Sequence, residues 1–521
     1  DGFQPLNAAN TRPETTIVYP DQFVGVATFR GNGSSVVVSD YKFKPDLVWI
    51  KGYTDADRHG WYDTVRGVQK RLQTAHNTGE DTQNGVMTFE PNGFSVGDYA
   101  ETNGSDRSYV GWCWKAGGNK GTFNVDDVGY ASASDVNMNT GSLTSSFYNT
   151  SHSISGNITT TDITFASGKE LSKWFDGQRD TKMEPAGSGT MDFSGISALQ
   201  NFTGTLQFAV TAYSPSASMK FVVNGIHTFE STMFPGDTGE SDFFPAKTKW
   251  ITIPVTSLKT VEFTSISARS TQFWGMFLDG KQLVDSGVTP DSLPSIAPDK
   301  VSVGTKQGFS IIKYSGDSQG GDGRIPHGLT QEPDFLIFKS LDAADNWAIY
   351  HSSMGRKYVE FSNQATGGNP QNRWSSIPTD KVIYLGSDTN INNKNHIMYV
   401  WHNVPGLQKF GTYEGTGSTD GPFVELGFKP AVLILKNFDD TENWYIYDLE
   451  RSKTNVAYQS LQASQDAAEN TGASDTRVDL LSNGFKLRQA NGPNTGSDSY
   501  IYAAWAEVPS FNLYGAQSNA R

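Results

Sequence analysis

Short runs of apolar residues, bounded by Pro, Gly or Asn, recur along the chain and predict β-strands. Three of these runs lie in 21-residue segments that align without a gap: FKPDLVWIKGYTDADRHGWYD (43–63), QEPDFLIFKSLDAADNWAIYH (331–351) and FKPAVLILKNFDDTENWYIYD (428–448). Each segment has a proline, an apolar strand, a lysine six residues after the proline, an acidic loop, and an aromatic residue seventeen after the proline. This pattern predicts three copies of one β-rich unit.

The similarity continues on both sides of the aligned segments. A strand that runs into a glycine turn precedes each segment, and a pair of strands follows each one, reaching Trp114, Trp401 and Trp505. The loops differ in length while the strands keep their spacing, as expected for homologous domains, because surface loops tolerate insertions. We therefore predict three homologous antiparallel β-sandwiches with the boundaries 22–118, 306–406 and 407–512.

Residues 142–288 do not match this unit. Their alternating segments, such as MKFVVNGIHTFE (219–230) and KWITIPVT (249–256), predict a fourth β-sandwich of a different kind. The predicted fold class is therefore all-β, with tandem β-sandwiches of jelly-roll or lectin-like type. NVAYQSLQASQDAAEN (455–470) is the best helical candidate and predicts a turn or two of helix. The remaining segments are predicted to be an extended arm (1–21), two linkers (119–141 and 289–305) and a C-terminal tail (513–521).

Composition and charge narrow the class of partner. The net charge is −14 and no basic run is present, which argues against nucleic acid and against an anionic membrane surface. A single cysteine, Cys113, rules out an intrachain disulfide framework and a cysteine-based zinc cluster. No apolar run has membrane-spanning length, so we expect no membrane insertion. The first residue is Asp rather than Met, and we expect a piece of a longer protein.

Two kinds of short motif resemble functional sites but can also be ordinary turns or loops. GDSQG (316–320) matches G-x-S-x-G, but a nucleophile elbow needs a helix after Ser318, and a glycine-rich stretch follows instead. DADRHG (55–60) and DTNINN (388–393) begin like calcium loops but lack the bidentate glutamate that such loops have at position twelve. We interpret all three as turns or exposed acidic loops.

The better metal candidate is FDGQRDT (175–181), which resembles the D-G-x-x-x-T stretch of galactose-binding-like jelly-roll domains. That resemblance implies a structural Ca²⁺ bound by Asp176 and Thr181, since oxygen ligands suit this hard cation. A closing acidic ligand cannot be placed, and an Asp-Gly turn without metal is the alternative. We predict no other cofactor.

The recurrent residues do not form an active site. The acidic loop position is occupied by Asp55, Ala343 and Asp440 in the three copies, so an acidic residue is not present in every copy. The positions that do recur are apolar or aromatic, together with Lys51, Lys339 and Lys436. We predict that the recurrent aromatic residues pack in the interior, with stacking of an exposed Trp or Tyr on sugars as the alternative. A pair of carboxylates that converge in space is the remaining way for this chain to build a hydrolytic site.

The units resemble the repeated β-sandwich domains at the C-terminal ends of structural and tail-fibre proteins of marine tailed phages, cyanophages especially. The resemblance rests on FKPDLVWIK, WYDTVRG, YVGWCWKAGG, DGKQLVDSGVTP, TGSTDGPFVELGFKP, LSNGFKLR and YIYAAWAEVP, in that order along the chain. It implies a non-enzymatic fibre protein of tail or capsid, on the virion surface. The expected partners are a host cell-surface glycan or receptor, other virion proteins, and further copies of the chain in a homotrimer.

Two other functions remain open. One is a tail-associated polysaccharide depolymerase in which the sandwiches are carbohydrate-binding accessories, and it predicts a groove with converging acids. The other is a purely structural decoration of capsid or tail without a ligand. Several weak binding sites linked in one chain would suit a fibre that recognises the host, because the avidity of linked sites can exceed the affinity of one site by roughly 10²–10⁴.

Overall fold

The computed structural model describes residues 16–139, 147–149, 153–178, 181–200, 203–211, 219–230, 249–265, 271–279, 281–288, 290, 293–317, 323–367, 372–471 and 477–510. These residues form strands and turns with very little helix, so the predicted all-β fold is confirmed. The chain divides into two compact units. One combines the residues up to Asn139 with those from Ile296 onward, and the other, called the second unit below, covers Thr140–Ser295. Among the described residues, the helices are too short to cross a membrane.

The first copy contains two antiparallel sheets and a short hairpin. Its elements are β1 Val24–Arg30, β2 Val36–Val38, β3 Leu47–Gly52, β4 Gly60–Asp63, β5 Lys70–Arg71, β6 Asp81–Thr82, β7 Val86–Glu90, β8 Gly93–Val96, α1 Ala100–Asn103 and β9 Ser108–Trp114. One sheet has the order β1-β9-β3-β4 and the other β2-β8-β7, while β5 pairs with β6. Residues of both sheets, among them Val48, Phe94 and Tyr109, enclose a core of their own.

Two short strands, β10 Phe123–Val125 and β11 Val128–Tyr130, lead to the second unit. The strands of that unit are β12 Phe147–Asn149, β13 Thr159–Thr161, β14 Thr164–Phe165, β15 Pro185–Ala186, β16 Gly189–Asp192, β17 Gly204–Thr211, β18 Met219–Val223, β19 His227–Glu230, β20 Lys249–Val255, β21 Thr260–Ser265, β22 Gln272–Leu278 and β23 Lys281–Val284. They form two five-stranded sheets, β12-β23-β22-β17-β20 and β13-β16-β21-β18-β19. Buried side chains of both sheets meet in one core that includes Phe208, Phe221 and Phe273. The second unit is therefore a β-sandwich.

The second copy begins after this unit. Its strands are β24 Lys300–Gly304, β25 Phe309–Ser315, β26 Arg324–Pro326, β27 Phe335–Ser340, β28 Ala348–His351, β29 Tyr358–Val359, β30 Val382–Tyr384 and β31 Asn395–Trp401. The third copy has β32 Gln408–Glu414, β33 Phe423–Glu425, β34 Phe428–Asn437, β35 Tyr445–Asp448, β36 Val478–Leu481, β37 Gly484–Leu487 and β38 Ser499–Pro509. In both copies a second, smaller sheet covers the main one: β26-β30 and β33-β37-β36.

The main sheets of the three copies share one strand order and one register. The orders are β1-β9-β3-β4, β25-β31-β27-β28 and β32-β38-β34-β35. Each central tryptophan pairs with corresponding residues on its two neighbouring strands: Trp114 with Val24 and Leu47, Trp401 with Phe309 and Phe335, and Trp505 with Gln408 and Val432. The aligned segments of the sequence therefore occupy equivalent positions in three equivalent sheets.

The predicted linkers differ from the structure, because they contain strands. In 119–141, β10 pairs in parallel with β24, which lies in 289–305 and pairs with β25. With β11 and β29, they extend the main sheet of the second copy to eight strands. The physical reason is burial: Phe123 and Val301 are 7% and 0% exposed and join the core of that copy.

The helix predicted at 455–470 is also absent from the described structure. Ser460 and Leu461 instead form isolated β-bridges with Asn470 and Ile446. Tertiary pairing therefore overrides a weak helical propensity. The other helical elements in the described part of the chain are 3₁₀ turns: Pro20–Gln22, Ala133–Val136, Ser155–Asn157, Leu171–Trp174, Ser197–Leu199, Ser352–Met354 and Gly492–Asn494.

Each main sheet is buried on both faces. In β3, Val48 and Ile50 point into the core of the first copy, whereas Leu47 and Trp49 join a different core. This second core is shared by all three copies and includes Trp61, Trp112 and Trp114, then Trp347, Tyr399 and Trp401, then Trp444, Ile501 and Trp505. The three copies therefore surround one common core, and we call this assembly the three-copy ring.

Candidate functional site

Three equivalent tryptophans pack against one another in the shared core. The ring centroids of Trp114 and Trp505 are 5.3 Å apart, those of Trp401 and Trp505 are 5.9 Å apart, and those of Trp114 and Trp401 are 6.5 Å apart. All three pairs are edge-to-face, with interplanar angles of 68–70°. This geometry is a preferred one for aromatic pairs. The nearly equal angles indicate an approximate threefold arrangement within one chain.

The recurrent lysines cross the joints between the copies. Lys51 Nζ donates to the Asp466 carbonyl of the third copy at 3.1 Å, and Lys339 Nζ donates to the Asn77 carbonyl of the first copy at 3.1 Å. Lys436 Nζ donates to the Asn363 carbonyl of the second copy at 3.4 Å. Each ammonium also donates to carbonyls of its own loop at 2.6–2.7 Å. The three lysines therefore occupy equivalent positions, and each one connects its own copy to the preceding copy.

A second set of equivalent residues makes the same connection. Trp347 Nε1 donates to the Gln73 carbonyl at 2.8 Å, and Trp444 Nε1 donates to the Glu360 carbonyl at 2.6 Å. His59 takes this position in the first copy and is fully buried. Its Nδ1 accepts from Trp49 Nε1 at 2.9 Å, so the proton is on Nε2, which lies 3.1 Å from the Gln462 carbonyl. The direction is again from each copy to the preceding one, and the joints close into a cycle.

Buried ion pairs support two of the joints. Asp63 pairs with Arg66 at 2.5 Å and accepts from the Tyr399 hydroxyl of the second copy at 2.7 Å. The equivalent Asp448 pairs with Arg451 at 2.7 Å and accepts from Trp112 Nε1 of the first copy at 3.0 Å. The second copy has His351 and Met354 at these positions. The sequence interpretation missed these pairs, although D-x-x-R in two copies was a readable signal.

Burial controls the electrostatics of the joints. It lowers the pKa of Lys51, Lys339 and Lys436 to about 8, because an ammonium loses hydration there. A nearby carboxylate of the same loop partly opposes the shift in each case. The lysines therefore remain mostly charged at neutral pH and keep their carbonyl partners. Burial also lowers the pKa of His351 to about 4, so this histidine is neutral.

The prediction that recurrent aromatic residues pack in the interior is confirmed. Tyr62, Tyr350 and Tyr447 are 0–1% exposed and lie in the separate cores of their copies. Of the 12 tryptophans, all except Trp250 are buried.

The predicted calcium residues lie side by side in the second unit. The Thr181 hydroxyl donates to the Asp176 carboxylate, at 2.8 Å from Oδ1 and 2.9 Å from Oδ2. The Gln178 N–H donates to Oδ1 at 3.0 Å, and Lys173 Nζ lies 3.4 Å from Oδ2. These contacts describe an Asp-Gly turn whose carboxylate already has partners, and calcium binding here stays a prediction.

The two acidic loop motifs make contacts within the fold. Ser318 lies outside the described residues. In the acidic loop of the first copy, Asp57 pairs with Arg107. In 388–393, the Thr389 carbonyl accepts from the Tyr314 hydroxyl at 2.5 Å. Across the described parts of the chain, no group of three or more His, Cys, Asp or Glu side chains is placed to hold a metal ion.

These features define an all-β protein built on a closed ring of three equivalent sandwiches. The chain belongs to the family described as a domain of unknown function, DUF7483, whose model matches residues 19–168 and 289–509. The match includes all three copies and excludes residues 169–288, which lie inside the second unit. No curated protein matches the chain.

Proposed function

We propose that this protein is a non-enzymatic component of a virion fibre, of tail or capsid, that recognises the host surface. One observation carries the proposal: the polar side chains that recur in the three copies connect the copies to one another. Lys51, Lys339 and Lys436 each donate to a carbonyl of the preceding copy. A repeated catalytic centre would instead repeat acids, bases or nucleophiles around a cleft.

The three-copy ring is well suited to a protein that presents binding surfaces. A shared core fixes the three sandwiches relative to one another, so binding would not have to order them. Exposed loops at the rims then provide surface that can vary without disturbing the core. The acidic net charge of −14 favours neutral partners, such as cell-surface glycans, over polyanions.

Localisation on the particle is the direct test. Gold-labelled antibodies against the chain are expected to mark fibres on the surface of the parent virion. Antibody that has been adsorbed with the purified chain is the control and should leave the particles unmarked. Intact particles that contain the chain only in their interior, or lack it altogether, would contradict the proposal.

Self-association belongs to the same proposal. We expect a homotrimer, with a mass of about three times the 56.9 kDa of one chain in light scattering after size-exclusion chromatography. Other virion proteins are the expected attachment partners. A monomeric mass would show that the threefold arrangement within the chain replaces a trimer of chains.

A purely structural decoration protein is the second candidate. It is favoured by the burial of every tryptophan of the three-copy ring. Glycan arrays that stay blank would support it over host recognition. Release of reducing ends from host polysaccharide would instead identify a depolymerase.

A further inference from the structure

The three joints of the ring have equivalent contacts but differ in how the chain connects their copies. The second and third copies are joined directly by residues 402–407, between β31 and β32. The first and second copies are held together by β10, which follows the first copy and pairs in parallel with β24 of the second. The first and third copies are not consecutive in the sequence, and we call the joint between them the seam.

One backbone hydrogen bond recurs at every joint and allows a direct comparison. At the seam, the Glu469 N–H donates to the Tyr53 carbonyl at 2.9 Å. The equivalent bonds at the other two joints run from the Glu80 N–H to the Leu341 carbonyl at 2.8 Å and from the Thr366 N–H to the Phe438 carbonyl at 3.1 Å. Each acceptor lies two residues after the recurrent lysine of its copy. The seam is therefore closed by the same bond as the joints that the chain connects.

Residues 16–23, which we call the latch, cross the seam. The N–H groups of Thr16 and Ile17 both donate to the Pro405 carbonyl, at 3.0 and 3.2 Å. Pro405 belongs to the connection between the second and third copies. The turn Pro20–Gln22 lies next to β38 of the third copy, and the chain then enters β1 of the first. The latch therefore links the first copy to the third copy and to the connection that precedes it.

Two side chains attach the latch to the shared core. Ile17 is 2% exposed and belongs to that core, and the half-buried Phe23 packs against it. The Phe23 carbonyl also accepts from the Lys115 N–H of the first copy at 2.8 Å. The ammonium of Lys306, in the second copy, lies 5.7 Å from the centroid of the Phe23 ring, within the range of a cation–π contact. All three copies therefore contact the latch.

We infer that the ring opens at the seam and that the latch is the device that keeps it closed. Opening at another joint has to break the β10–β24 pairing or pull against the connection 402–407. The seam has the latch instead, which is a short segment with one fully buried core side chain, Ile17. Segments with few buried apolar contacts open at the lowest free energy.

The copies on the two sides of the seam can separate without unfolding. The first copy has a core of its own around Val48 and Phe94, and the third has one around Leu433 and Phe485. Opening therefore breaks contacts between copies while each sandwich keeps its own interior. This device is independent of the proposed function, because it depends only on contacts between the copies.

The test is native-state hydrogen exchange of the full chain, resolved to single amides by mass spectrometry. The Glu469 amide reports on the seam, and the equivalent Glu80 and Thr366 amides report on the other two joints. In the unaltered chain, low concentrations of urea are expected to release Glu469 before Glu80 and Thr366. Release of all three amides together would overturn the inference, because the ring would then open as a whole.

Variants of the latch give the second measurement. Ile17→Ala is expected to speed the exchange of Glu469 by about tenfold or more, because it removes packing in the shared core, while Glu80 and Thr366 keep their rates. Ile17→Val should have a small effect of the same kind and remains informative if Ile17→Ala does not fold. Tyr19→Ala is the matched control, since Tyr19 lies in the latch but is 57% exposed. Equal acceleration of all three amides, or an unchanged rate at Glu469, would show that residues 16–23 are not a latch.

Discussion

The three-copy ring and the second unit bury their tryptophans in different ways. In the ring, Trp114, Trp401 and Trp505 come from three copies and meet in one core. In the second unit, Trp174 lies in the core between the unit's own two sheets, while Trp250 stays exposed. Repetition in this sequence thus produces an internal interface, whereas the unrepeated segment packs its core tryptophan between its own two sheets. A residue that recurs between copies is therefore evidence for assembly before it is evidence for function.

Removing one tryptophan from each core should show most clearly that the ring and the second unit are stabilised separately. Trp114→Ala is expected to lower the free energy of unfolding of the ring by about 3–5 kcal/mol, because a cavity forms in a core that all three copies share. Trp174→Ala should lower the stability of the second unit instead. Differential scanning calorimetry would record two transitions, each shifted by one of the variants. A Trp114→Ala protein in which only the first copy unfolds would show that the copies are independent.

The buried ion pair of the third copy tests one joint of the ring. Arg451→Met is expected to lower the free energy of unfolding by about 3 kcal/mol, because it leaves the carboxylate of Asp448 buried without its partner. The second copy has His351 and Met354 at the equivalent positions. The double variant Asp448→His with Arg451→Met should therefore lose less stability in urea titrations, and the remaining loss is expected from Glu469, which Arg451 also pairs with at 2.6 Å.

An exposed pair provides the control for this measurement. Arg30 and Asp106 also form a salt bridge, but their side chains are 69% and 84% exposed. Arg30→Met should change the free energy of unfolding by less than about 1 kcal/mol. Equal losses for Arg30→Met and Arg451→Met would contradict a role of the buried pair at the joint.

The strands and the three copies were predictable from sequence, whereas the ring was not. Apolar runs such as 47–50 identified strands, and the fixed spacing of Lys51 identified equivalent positions. The interpretation of each copy as a sandwich with its own core was incomplete, because β3 is apolar at four consecutive positions and buried on both faces. A sheet with one face in solvent would alternate. That signal was present in all three aligned segments.

The linkers and the exposure of Trp250 were harder to predict. Strands of three residues, such as β10, are too short for a periodic pattern, and they form because a neighbouring strand supplies their hydrogen bonds. Trp250 looks like any other strand aromatic in sequence, since only the packed sheet shows that its side chain lies on the face opposite the core residue Ile251. Partners that are distant in sequence, such as Asp448 and Trp112, also depend on the closed ring.

Acidification should weaken the ring through His351, the residue that replaces the ion-pair aspartate. Its pKa in the folded state is about 4, below the ordinary value of 6.5, because burial disfavours the charged form. The unfolded chain therefore binds a proton first as the pH falls, and the stability contribution is lost between about pH 6.5 and 4. At pH 5 the loss is about 2 kcal/mol for this residue.

Urea titrations at pH 7 and pH 5 measure this effect. His351→Asn should reduce the difference in stability between the two pH values, while His227→Asn in the second unit serves as the control. An unchanged difference in His351→Asn would assign the acid sensitivity to other groups.

Substitution of Lys51, Lys339 or Lys436 should have the smallest effect on stability, because two contributions to the free energy of unfolding oppose each other. Lys51→Met leaves carbonyls at the joint of the first and third copies without their donor, yet it also removes a buried charge whose pKa burial has already lowered to about 8. We expect a net loss of about 1 kcal/mol in the free energy of unfolding of the ring. Lys44→Met, at an exposed lysine of the same copy, should be neutral. Similar losses for Lys51→Met, Lys339→Met and Lys436→Met would show that the three joints are energetically equivalent, whereas a loss at one joint alone would mean that the cycle is closed by a single dominant contact.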